Sequence, residues 1–248
     1  MRDALGEEGC AICRLVMDSS IHMLEGLFHE FVTDPTTRAW LQAANGFCNR
    51  HAWLAVRMRD TGSGLATIYE TILEAIMKRF QKHQPVLAAS GKTESFISKL
   101  LRNERSETAR LLEQEQECQI CVRAAEAENP YLNELLRWFD EDEMRAAFDS
   151  SFGLCLPHLD LLIARYPEHE NLPILVEAEK DKCEMLLAEL KGYLRKLDYR
   201  YSNEPRGNEQ YSWRRVVELV AGKPTGILNR RVRVAGACGG TRAHQPGA

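Results

Sequence analysis

The chemistry open to this chain is concentrated in its cysteines and histidines, eight and seven in number. Six of the cysteines stand in a repeated pattern. Cys10-Ala-Ile-Cys13 is followed by Cys48-Asn-Arg-His51, and Cys118-Gln-Ile-Cys121 is followed by Cys155-Leu-Pro-His158. A CxxC pair directs two sulfurs at one ion. A CxxH pair at a helix start does the same with one sulfur and one imidazole nitrogen. Together they supply four donors of the kind tetrahedral zinc takes. One CxxC alone is weak evidence. Two zinc finger-like sets whose inner gaps differ by one residue are strong evidence. Buried apolar cysteines would not explain why a histidine recurs three residues after the same cysteine. The reading is two zinc ions per chain, with an iron–sulfur cluster as the alternative for the same donors.

The flanks of the two sets repeat as well. Ile12 matches Ile120, and Gly46-Phe47-Cys48 matches Gly153-Leu154-Cys155. Leu24, Leu27 and Phe31 match Leu132, Leu135 and Phe139 at one constant offset. Trp40 matches Phe148, Asp34 matches Asp142, and Leu54 matches Leu161. This is an internal duplication, read as a pseudo-symmetric pair. Geometry constrains how its ligands pair. A continuous helix over residues 13–33 rises about 30 Å, whereas residues 35–48 recover only about 20 Å if helical. A bend in the outward segment would reconcile the two, and Asn129-Pro130 offers one in the second copy. Pairing across the copies, with Cys10 and Cys13 joining Cys155 and His158, also satisfies the donor count. Pairing within each copy is preferred, because a duplication implies a unit that once closed its own site.

The elements that must carry these ligands are helical. Leu15, Val16, Leu24, Leu27, Phe28 and Phe31 keep helical spacing, interrupted at Ser19 and Ser20. Asp34-Pro35 reads as an N-cap followed by a first-turn proline, and Gly46 as a helix end. A helix over residues 48–60 is followed by a break at 61–64. Leu65, Ile68, Tyr69, Ile72, Ile76 and Phe80 then form one apolar face. Residues 84–91, with Pro85, read as a linker. The fold class is all-α: two pseudo-symmetric helical units, each with a Cys3His metal site, joined by a charged helix. The first unit covers residues 1–84, the bridging helix 92–117 and the second unit 118–200. A C-terminal helix follows at 211–222, then a disordered tail at 223–248.

Composition narrows the function. The net charge is −4 and the pI about 6.0, which argues against nucleic acid as a partner. No run approaches the roughly 18 apolar residues of a membrane span. Residues 1–9 lack the layout of a signal peptide. A cytoplasmic location is the default, where disulfides do not persist, and eight cysteines there call for a metal or redox role. No nucleophile elbow, phosphate loop, HExxH or Rossmann glycine set is present, so the sequence leans away from an enzyme and gives no catalytic residue. Arg14 and Arg50 lie beside ligands of the first copy, where the second has Val122 and Pro157. They are candidate modulators that would make the first copy's thiolates the more reactive ones. His22 and His29 read as flank residues, Cys183 as a core residue and Cys238 as incidental. The acids at 140–143 complement a helix start.

The stretches Gly-Cys-Ala-Ile-Cys at 9–13, Gly-Phe-Cys-Asn-Arg-His at 46–51, Glu-Cys-Gln-Ile-Cys at 117–121 and Gly-Leu-Cys-Leu-Pro-His at 153–158 resemble a bacterial family of uncharacterised helical proteins. That family carries two CxxC…CxxH units and a domain-of-unknown-function label. The likeness covers roughly residues 8–222, with Trp138-Phe139-Asp140, Phe148 and the helix at 213–220 similar too. It implies bacterial origin and no particular activity. The functional expectation is a zinc-binding helical scaffold whose partner is a protein or a small ligand. A zinc–thiolate redox sensor and an iron–sulfur protein are the alternatives. Cys48→Ser or Cys155→Ser is expected to cause partial unfolding. Thermal melting and metal content test this, and no change in either variant would refute it.

Overall fold

Every regular element among the described residues is a helix. The structure is a computed structural model that describes residues 1–89, 112–201 and 203–223. In chain order the helices are α1 (Arg2–Leu5), α2 (Ala11–Gly26), α3 (Pro35–Ala43), α4 (Asn49–Arg57), α5 (Gly62–Ala89), α6 (Gln119–Arg137), α7 (Asp142–Ser150), α8 (Leu156–Arg165), α9 (Leu172–Arg195) and α10 (Ser212–Ala221). A π-helical turn, Leu27–Phe31, extends α2. Short 3-10 turns lie at Tyr199–Tyr201 and Asn208–Tyr211.

Local signals explain several boundaries. Asp34 caps α3 by accepting the Thr37 N–H at 2.7 Å, with Pro35 at the first helical position. Cys48 and Cys155 are the N-cap residues of α4 and α8. Asp142 and Glu143 fill the first turn of α7, at the positive end of the helix dipole.

Other expectations are refined or corrected. Ser19 and Ser20, which interrupt the apolar spacing, lie inside a continuous α2. The Ser19 hydroxyl donates to the Leu15 carbonyl one turn back, at 2.8 Å, which keeps it satisfied inside a helix. Pro130 lies inside α6, which runs on to Arg137. The buried Leu132, Leu135 and Leu136 that follow it anchor the rest of the helix. Residues 84–89 are not a linker, because α5 continues through Pro85 to Ala89. The bridging helix does not reach residue 117. Residues 112–117 are turn, bend and irregular chain, and the Glu115 N–H bonds the Ala43 carbonyl at the end of α3, at 2.9 Å, rather than a helical partner. The rest of that expected helix, residues 92–111, lies outside the described residues, as do residues 224–248 with Cys238.

The chain divides into two compact units that do not coincide with the sequence copies. One comprises Met1–Ser19 together with the chain from Ala124 onward, and the other is Ser20–Arg123. The chain passes between them inside α2 and inside α6. In the Ser20–Arg123 unit, Leu24, Leu27, Leu41, Phe47, Ala55, Ile68 and Ile72 form one core with Cys118 and Ile120. Phe47 sits between Phe28 and Trp40, with ring centroids 6.1 and 6.0 Å away. In the other unit, Phe139 meets Phe148 edge-on at 5.0 Å. There α1 packs on α7, and α10 packs on α8 and α9.

Two readings of single residues change. Phe31 was matched to Phe139, yet Phe31 is exposed while Phe139 is buried. The wider π turn shifts Phe31 off the apolar face that α-helical spacing would give it. Cys183 is half-buried rather than core, beside the exposed Leu187. Burial and the nearby Glu179 charge push its thiol pKa up.

Phe148→Ala should destabilise the unit containing α7 by about 3–5 kcal/mol, the usual range for deleting a buried aromatic ring. Denaturant unfolding followed by circular dichroism measures it.

Candidate metal centres

All eight ligand candidates lie at helix starts. Cys10 and Cys13 flank the start of α2, and Cys118 and Cys121 flank that of α6. Cys48 with His51 opens α4, and Cys155 with His158 opens α8. The CxxC and CxxH spacings place both members of each pair within a single turn. Gly46 and Gly153, two residues before Cys48 and Cys155, have φ of +94° and +86°, which a side chain rarely adopts. A Cβ at Gly153 would also lie 2.6 Å from a Glu179 carboxylate oxygen.

The structure brings the eight residues together as two clusters. They are Cys10, Cys13, Cys155 and His158, and Cys48, His51, Cys118 and Cys121. The preferred pairing within each copy is therefore wrong: each CxxC meets the CxxH of the other copy. The physical reason is the length of the outward helix. Ala11–Gly26 and Leu27–Phe31 form 21 successive helical residues, a rise of about 30 Å. The chain leaves Cys13 in one unit and delivers Cys48 in the other. The mismatch in reach is resolved by exchanging partners. Each cluster lies wholly inside one compact unit.

The donor geometry fits one tetrahedral ion. In the first cluster the Cys13 and Cys155 sulfurs are 3.7 Å apart. His158 Nδ1 lies 3.0, 3.4 and 3.5 Å from the sulfurs of Cys155, Cys13 and Cys10. In the second, Cys48 and Cys121 are 3.5 Å apart. His51 Nδ1 lies 3.3 Å from Cys48, 3.3 Å from Cys121 and 3.6 Å from Cys118. Bonds of about 2.3 Å to sulfur and about 2.0 Å to nitrogen give tetrahedral edges of about 3.8 Å and 3.5 Å. All donors in a cluster lie within 4.8 Å of one another.

The electrostatics favour anionic sulfur beside cationic imidazole. Burial disfavours charge on Cys10, but hydrogen bonds from Cys13, Cys155 and His158 outweigh it and hold its pKa well below the ordinary thiol value. Hydrogen bonds from Cys118 and Cys121 lower that of Cys48. The neighbouring sulfurs push Cys121 and Cys155 up. Burial works against a charged His51 and a charged His158. The sulfurs still raise His51 to about 9, and the sulfurs with Glu128 raise His158 to about 11.

Two glutamates outside the cysteine and histidine motifs complete the Cys10 cluster. Glu128 is buried, and its carboxylate lies 2.9 Å from His158 Nε2. It orients the ring so that Nδ1 faces the sulfurs, the outer carboxylate seen behind many metal-bound histidines. The Arg165 guanidinium stands 3.8 Å from its other oxygen. A sequence signal existed: Glu128 shares the buried face of α6 with Ala124, Leu132 and Leu135, where an acid needs a polar partner. The first copy has Ser20 at the matching position. Glu179, also buried, accepts the Leu154 N–H at 2.9 Å. Burial raises its pKa to about 7, against the pull of that bond and of Lys182.

Arg14 and Arg50 do not share a cluster, since one follows Cys13 and the other precedes His51. The Arg14 guanidinium donates to the Glu7 carboxylate at 3.0 Å, the Glu8 carbonyl at 3.1 Å and the Ala4 carbonyl. It fastens residues 4–8 to the start of α2. The clusters are unequal for a different reason, which is exposure. All four residues of the Cys10 cluster are buried, whereas Cys48 and Cys121 are half-exposed. His22 and His29 are exposed on α2 and its π turn, as flank residues should be.

A family profile described as a family of unknown function, DUF6062, matches residues 1–226. The chain belongs to this family. The DUF6062 span contains both clusters, Glu128, Glu179 and the ten described α-helices, so both candidate metal centres lie within the matched residues. Comparison with curated proteins and with solved structures gave no match.

Glu128→Gln should weaken metal binding at the Cys10 cluster by about 10–100-fold, the usual effect of removing such an outer partner. Binding at the Cys48 cluster should be unchanged. Chelator competition on the full chain reads both affinities.

Proposed function

We propose that this DUF6062 protein binds one zinc ion in each cluster, and that the two ions hold its helical units in shape as a scaffold for a protein or small-ligand partner. The observation that carries the reading is the donor geometry. In each cluster the histidine nitrogen and the touching sulfurs lie 3.0–3.7 Å apart, near tetrahedral edge lengths, and all four donors lie within 4.8 Å of one another. Zinc is favoured because three thiolates and an imidazole match its structural sites. A polynuclear iron–sulfur cluster spreads its thiolates over several irons, and donors this close together suit a single ion better. Four protein donors leave no open position for a substrate, which is the arrangement of structural rather than catalytic zinc. Exposed Trp213, Val217 and Val220 on α10, at helical spacing, support the partner reading.

Elemental analysis of the purified full chain should give two zinc per chain. Strong chelation should then lower helicity, since structural zinc contributes roughly 10–16 kcal/mol in small finger peptides. Iron in place of zinc would overturn the choice of metal. A metal-free, fully helical chain would overturn the proposal.

A further inference from the structure

The two clusters differ in what can reach them. Cys10, Cys13, Cys155 and His158 are all buried. In the other cluster Cys118 and His51 are buried at 7% and 1% exposure, whereas Cys48 and Cys121 are half-exposed. The sulfurs of these two partly exposed residues touch each other, at 3.5 Å. They come from different helix starts, α4 and α6, in different sequence copies. A small oxidant entering from solvent therefore meets two adjacent sulfurs, and they are not the two of a CxxC motif.

We infer that Cys48 and Cys121 form a peroxide-reactive pair whose oxidation to a disulfide releases the metal of this cluster and leaves the Cys10 cluster loaded. This rests on the zinc reading above. One thiolate of the pair attacks hydrogen peroxide, breaking the O–O bond to give a sulfenic acid and hydroxide. The second thiolate attacks the sulfenic sulfur, forming the S–S bond and expelling a second hydroxide. The two sulfurs lose two electrons and the peroxide gains them. Cys118 and His51 remain as two donors, too few for a four-coordinate ion. The crosslink replaces the metal as the tie between the start of α4 and the start of α6. Reduction by an added dithiol, with zinc present, restores the original site.

The test treats the zinc-loaded full chain with hydrogen peroxide. Zinc release is followed with a chromogenic chelator, and the products by intact mass and peptide mapping. One of the two ions should leave, the mass should fall by two hydrogens, and the crosslinked peptides should carry Cys48 and Cys121. Release of both ions or of neither, or a disulfide joining Cys118 to Cys121 or Cys10 to Cys13, would overturn the inference while leaving the zinc reading intact. Alkylation with N-ethylmaleimide gives a second measure that needs no variant and no oxidant. Cys48 and Cys121 should be modified before Cys10, Cys13 and Cys155, and equal rates would sink the proposal. A chain isolated without zinc fails the zinc reading instead, and the alkylation order still decides whether this pair is the reactive one.

Discussion

Two helix N-termini converge on each set of three sulfurs, and most of the architecture serves that convergence. With the proposed divalent ion bound, three thiolates and a neutral imidazole would carry a net negative charge, and the four residues of the Cys10 cluster that would hold it are buried. The positive ends of α2 and α8 at that cluster, and of α4 and α6 at the other, offset part of it. The glycines before Cys48 and Cys155 let the chain turn sharply enough to start a helix with its donor already in place. Short helices such as α4 and α8 suit this role, since each only has to present one end.

The long helices then decide which ends meet. Because α2 and α6 each begin in one unit and finish in the other, a CxxC motif cannot stay with the copy that follows it. It joins the body of the other copy instead. Each cluster ties together segments distant in sequence, such as Cys10 with His158 and Cys121 with His51. The surroundings of the two have diverged. One is fully enclosed and backed by Glu128, with Glu179 beside its ligand loop. The other borders an apolar core on one side and reaches the surface through Cys48 and Cys121.

How much of this is legible in the sequence follows from the range of each signal. The eight donors, the Asp34 cap and the α4 and α8 starts depend on residues within a turn of one another, and reading them needs nothing else. Pro85 misleads because a proline's local cost does not by itself end a helix, which no short motif reports. The partner exchange is hidden for a different reason. Donor types and spacings are the same for either pairing, and the premise that a duplicated unit must close its own site is false when the unit can be completed by its neighbour. Only the rise of α2 bore on the question, and it weighed against pairing within a copy. Glu128 was hidden because it looks like any helical acid until its face is known to be buried.

The exchanged ligands are nested along the chain: the span from Cys48 to Cys121 lies inside the span from Cys10 to His158. Closing them requires no threading, and it gives synthesis a fixed sequence of events. The inner set of four donors is complete once Cys121 has emerged from the ribosome. The outer set waits for His158, a delay of roughly a few seconds at ordinary elongation rates of about 5–20 residues per second. Cys10 and Cys13 are made first and used last. The more deeply buried of the two clusters is thus the one whose thiols stand open longest while the chain is made.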